Sequence, residues 1–207
     1  MRDRIIDELG NLPRSRFLVY LMGPYEAFDV ERALENADPD SIPDSVDFGT
    51  LVGSDHDLAR DEAALDLLLD VRDRLRTDAG VNAFLAIDID VALEELDAAS
   101  QSIAFAEASN AVVYVVPAVG DNLGVGIEVG SVLEALFDGE TSAHHRERVA
   151  FVHESGVRSA MIAAVRDRWE ARIYAYEDRD ELERQIRLFV RDLIRKERTG
   201  ELPTLEE

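Results

Sequence analysis

Apolar residues along the chain fall into five short runs separated by segments with helical spacing. Arg16 to Met22 is a β-branched and aromatic run that stops at Gly23-Pro24, the pattern of a buried strand ending in a turn. Similar runs at Ala83 to Ile87, Ala111 to Val116, Val149 to Val152 and Ile173 to Tyr176 predict four more strands. Helices are predicted over Asp61 to Thr77, with Ala64, Leu68, Val71 and Leu75 on one face, and over Glu94 to Ser109, with Leu96, Ala99, Ile103 and Ala106. Ile127 to Phe137 and Ser159 to Trp169 continue the alternation. A long last helix, Asp180 to Arg198, turns Leu182, Ile186, Phe189, Val190 and Leu193 inward.

Strands that alternate with helices imply a parallel sheet covered on both faces. The expected fold is α/β: a doubly wound, five-stranded parallel sheet of flavodoxin-like order 2-1-3-4-5. With 207 residues and 46% apolar content, one α/β domain over residues 1–207 suffices for a continuous core. Residues 26–59 are acidic, rich in Asp-Pro and Pro-Asp turn signals and without sustained periodicity, which predicts a long loop or lid. Residues 199–207 read as an acidic tail.

Charge narrows the function classes. The chain has 44 acidic and 22 basic residues, a net charge of -22, so a broad nucleic-acid face is not expected. All the basic residues but Lys196 are arginine. A carboxylate-rich, lysine-poor surface suits molar salt, where the screening length falls to about 3 Å and self-repulsion is damped. With no cysteine, no signal-like start and no apolar run long enough for a bilayer, a cytoplasmic protein without membrane contact is expected. The exception to the acidity is residues 158–198, with eleven basic and nine acidic side chains. There Arg184, Arg187, Arg191, Arg195 and Arg198 follow helical spacing, either as a docking face or, more simply, as a solvated face paired with neighbours such as Asp180 and Glu183.

In the expected topology ligands sit beyond the carboxyl ends of the first and third strands. Two loops are nominated: Gly23-Pro24-Tyr25-Glu26, and Pro117 to Gly130. In the second, Gly124 and Gly126 allow close backbone approach, and a helix starting near Val125 aims its free amides into the same space. Glu128 falls in its first turn. The dipole there keeps a carboxylate ionised, suiting a nucleophile better than a general acid, although such a glutamate is also a common dipole partner. Val129 stands where a dinucleotide fingerprint would need glycine. Asp88 and Asp90 follow the second strand as acid-base groups, as Mg²⁺ ligands or as an ordinary turn and helix start. His144 and His145, in a polar loop, lack a third ligand, and His153 and Glu154 border the cleft or simply end the fourth strand. No metal site and no cofactor are expected.

Tyr20-Leu21-Met22-Gly23-Pro24-Tyr25 and Gly124-Val125-Gly126-Ile127-Glu128-Val129-Gly130, the latter preceded by Ala111 to Pro117, resemble the nucleoside 2-deoxyribosyltransferase-like family across most of Arg16 to Phe137. The resemblance implies transfer or hydrolysis at an N-glycosidic bond of a nucleoside or nucleotide, with Glu128 as nucleophile, a glycosyl-ester intermediate and no cofactor. It implies that Gly23, Pro24 and Tyr25 line the sugar and base pocket, and that the protein is a homo-oligomer. Two family aspartates fall at Ser102 and Asn122 here, with Asp121 adjacent to the second. Those departures support an alternative, a non-catalytic nucleotide-binding or sensing domain that kept the cleft. A structural interaction module using the arginine-bearing last helix is the third reading.

Overall fold

The computed structural model describes residues 1–10, 12–24, 55–92, 94–118, 130, 132–137, 142–157 and 171–205. Its elements are α1 (Arg2–Leu9), β1 (Arg14–Met22), α2 (Asp55–Arg74), β2 (Val81–Phe84), α3 (Ala98–Ala108), β3 (Ala111–Val116), α4 (Ser142–Arg148), β4 (Val149–Glu154), β5 (Arg172–Tyr176) and α5 (Arg179–Thr199). A further helical stretch covers 132–137. The five strands form one sheet in the order β2-β1-β3-β4-β5, and every neighbouring pair is parallel. This is the doubly wound order expected from the alternation of runs.

Period-two alternation along β1 distributes its side chains between two cores. Phe17, Val19 and Leu21 enter one layer with Leu68, Val71 and Leu75, and with Leu182, Ile186, Phe189, Val190 and Leu193 of α5. Leu18, Tyr20 and Met22 enter the other with Ile5, Phe105, Val132, Leu133 and Leu136. Helices therefore cover both faces, and the middle strands are buried on both sides, which is why they read as unbroken apolar runs. In the second layer Tyr20 stacks on Phe84 at 5.1 Å between ring centroids, and Tyr114 on Phe151 at 4.6 Å.

Several boundaries differ from the sequence expectation, each for a local reason. The predicted loop 26–59 is shorter, because α2 already begins at Asp55 and continues past Arg74 into a π-helical turn at Leu75–Ala79 that closes on the left-handed Gly80. β2 ends at Phe84 rather than Ile87: the Asp88 carboxylate accepts the Leu85 amide at 2.9 Å and draws Ala86–Asp88 into a 3-10 turn. α3 begins at Ala98 rather than Glu94, because Asp97 caps it by accepting the Ser100 amide at 3.0 Å. His144 and His145 lie on α4, not in a loop. The acidic tail is anchored, with Leu202 buried and the Pro203 carbonyl accepting a bond from Arg148 at 2.5 Å. β1 also slips register against β2 between Arg14 and Leu18, where the buried Asn82 amide donates to the Ser15 carbonyl at 2.9 Å.

Candidate functional site

The carboxyl ends of β1 and β3 are adjacent. Met22 is in register with Tyr114, so the chain leaves β1 at Gly23 and β3 at Pro117 along the same rim of the sheet. Among the described residues, that rim gathers Gly23 and Pro24 after β1, Pro117 and Ala118 after β3, His153 and Glu154 at the end of β4, and Tyr176 at the end of β5. Tyr25, Asp121, Asn122, Gly124, Gly126 and Glu128 lie outside the described residues, as do Trp169 and residues 26–54.

Gly23 is buried, and its missing side chain answers to packing from within the protein. A Cβ there would meet Leu68 Cδ1 at 2.8 Å and the Val115 carbonyl oxygen at 3.2 Å. The glycine lets α2 close on the rim between β1 and β3. Gly23 therefore acts on this rim as a spacer.

Glu154 reaches across the rim and accepts the Ala118 amide at 2.8 Å, fixing the first step of the loop that follows β3. His153 Nδ1 lies 3.0 Å from the Glu154 carbonyl oxygen. Next to them the Tyr176 hydroxyl is buried without a hydrogen-bond partner among the described residues. Burial and the neighbouring Glu154 charge push that hydroxyl above its ordinary range, so it stays protonated and keeps a proton to donate. The sequence placed Tyr176 at a strand end but offered nothing to mark it as part of this rim. That assignment depends on the β4–β5 pairing of Glu154 with Tyr176.

Asp88 sits beyond the end of β2 but is engaged by its own surroundings. Arg72 bonds it at 2.5 Å and Arg76 lies 3.5 Å away, while its second oxygen holds the Leu85 amide. Asp90 is exposed, and its backbone amide donates to Glu8 at 2.9 Å. Ser102, in the second turn of α3, is 4% exposed. Among the described residues no group of three histidine, aspartate or glutamate side chains is placed to hold a metal ion, and no helix is long and apolar enough to cross a membrane.

A family model described as a domain of unknown function, DUF7509, matches residues 2–206. The chain belongs to that family. No curated protein matches it.

Proposed function

We propose that this protein cleaves or transfers at the N-glycosidic bond of a nucleoside or nucleotide, with Glu128 as nucleophile. The observation that supports the reading most is the parallel pairing of Met22 with Tyr114, because it starts the Gly23-Pro24-Tyr25 and Pro117 to Gly130 segments on one rim, the first at Gly23-Pro24 and the second at Pro117-Ala118. Those two segments carry the resemblance to the deoxyribosyltransferase-like family. In the proposed reaction a Glu128 oxygen bonds to C1′ as the C1′–N bond breaks, and the base leaves with the electron pair and takes up a proton. A second base or a water then attacks C1′ and frees the carboxylate. We place the activity in a salt-rich cytoplasm, on the strength of the acidic, lysine-poor, cysteine-free composition.

Incubation with deoxynucleosides and a different free base in molar salt tests the reading, with exchanged nucleosides and released sugar followed by chromatography. Turnover by the wild type and its loss in Glu128→Ala, with unchanged circular dichroism, is the expected result. The alternative, a nucleotide-binding or sensing domain without catalysis, is favoured by one observation: Ser102, buried on α3, stands where the resemblance implies an aspartate. Equal nucleoside binding by wild type and Glu128→Ala with no turnover by either would establish that alternative.

A further inference from the structure

The rim described above lies at the carboxyl ends of the strands. At the opposite end, where the strands begin, the second half of α5 borders an open groove of about 710 Å³ whose other wall holds Arg14, at the start of β1, and Asp78 and Ala79 just before β2. Its α5 side presents Arg187, Leu188, Arg191, Arg195 and Arg198. In a chain with two carboxylates for every basic residue, this concentration of arginine is the reverse of the general surface.

The arginines are not all neutralised from within. Arg195 is held by Asp192 and Glu201, Arg187 lies 3.8 Å from Asp78, and Arg14 donates to the Ala79 carbonyl at 2.6 Å. Arg191 and Arg198 are exposed and have no hydrogen-bond or ion-pair partner among the described residues. Between these cations Leu188 is 51% exposed, one of two large apolar residues so displayed among the described residues.

We infer that this groove binds an acidic peptide segment of another protein, which sets carboxylates against Arg191 and Arg198 and an apolar side chain against Leu188. A guanidinium fork matches a carboxylate in plane and in spacing, and its contact distance of about 2.8 Å survives screening even in molar salt. Arginine around an apolar anchor is the composition that concentrates binding energy in protein interfaces. From Arg187 to Thr199 the helix runs about 18 Å, longer than a small anion needs and suited to three turns of a docked segment. Nucleic acid fits poorly, because among the described residues the lining holds no aromatic ring for a base to stack on. A symmetric pairing of two copies through this face would set arginine against arginine.

The test uses a fluorescein-labelled helical peptide of about 12 residues built of glutamate with leucine at every third or fourth position, followed by fluorescence anisotropy at a salt concentration where the fold is intact. Binding is expected to weaken about tenfold or more in Arg191→Glu/Arg198→Glu and several-fold in Leu188→Ser, with circular dichroism unchanged in both. A peptide with lysine replacing glutamate should not bind. The inference is overturned if the acidic peptide fails to bind, or if the variants bind it as the wild type does. It is equally overturned if single-stranded RNA or tripolyphosphate binds more tightly than the peptide, or if sedimentation shows two copies associating through a contact that Arg191→Glu abolishes.

Discussion

Arg148 and Glu197 form an ion pair at 2.6 Å in which the two side chains are only 3% and 9% exposed. Glu197 also accepts the Asn110 side-chain amide at 2.9 Å, and Arg148 donates to the Asn110 and Pro203 carbonyls. Asn110 Oδ1 in turn takes the Leu18 amide and Arg2. The pair is thus the centre of a polar network that closes the starting end of the sheet, with Glu197 Oε1 accepting from both Arg148 and Asn110.

Removing one partner strands the other charge in a place water does not reach. Arg148→Met is expected to lower stability by about 3–5 kcal/mol, read from urea unfolding in molar salt. Adding Glu197→Leu should restore at least about 2 kcal/mol of that loss, since both charges are then gone. If the double variant is as unstable as the sum of the singles, the pair is not coupled as the geometry requires.

Gly23 makes a second prediction, from sterics alone. Gly23→Ala should destabilise by about 1–3 kcal/mol, because the new methyl group is forced onto Leu68 and the Val115 carbonyl. Leu68→Ala costs stability by itself, yet in combination it gives the methyl group room, so the two losses should sum to less than additivity. Full additivity in thermal melts would show that Leu68 is not the obstacle.

Asp97 supplies the pH-dependent case. The hydroxyl and amide of Ser100 hold its carboxyl below the ordinary aspartate range. A lowered folded-state value means that its capping contribution is complete above the unfolded value of about 3.9 and disappears as pH falls through the folded one. Asp97→Asn should therefore flatten the acid side of the stability profile, measured by chemical denaturation from pH 6 downward, taken here as roughly two units above that unfolded value. An acid limb as steep as the wild type's would show that the cap carries no proton linkage.

Salt dependence follows from composition. With a net charge of -22, dilution from molar salt into weak buffer lengthens the screening distance from about 3 Å to about 30 Å and leaves carboxylates repelling across the surface. Far-ultraviolet circular dichroism is expected to fall on dilution and to recover when salt is returned. Identical spectra in the two conditions would remove the salt-adapted reading of the arginine-rich, lysine-poor sequence.

The sheet was legible because burial on two faces writes itself into sequence as an uninterrupted apolar run, as in Ala111 to Val116, and α5 because its apolar stripe repeats at helical spacing from Leu182 to Leu193. α1 and α4 were not anticipated. α1 buries only Ile5 fully, and α4 is a run of histidine, arginine and glutamate, so neither carries a periodic signal. The strand end at Phe84 depends on Asp88 folding back, and the enclosure of Arg148 depends on residues 38 positions and more away, so neither is visible in a local window. Of the site, the sequence indicated the adjacency of the loops after β1 and β3. It did not indicate that Gly23 makes room for Leu68, that Asp88 is occupied by Arg72, or that Arg191 and Arg198, among the described residues, go unpaired while Arg187 and Arg195 lie against carboxylates.

The junction at Asn110 ties Arg2, which precedes β1, to Glu197, near the end of α5. During synthesis on a ribosome all five strands emerge before Glu197 does, and until then the Arg148 guanidinium has neither the carboxylate nor the Pro203 carbonyl that enclose it in the folded protein. The sheet can assemble as it emerges, but it cannot seal until Glu197 is free. Chains arrested short of Glu197 should therefore stay open to protease at the strand starts.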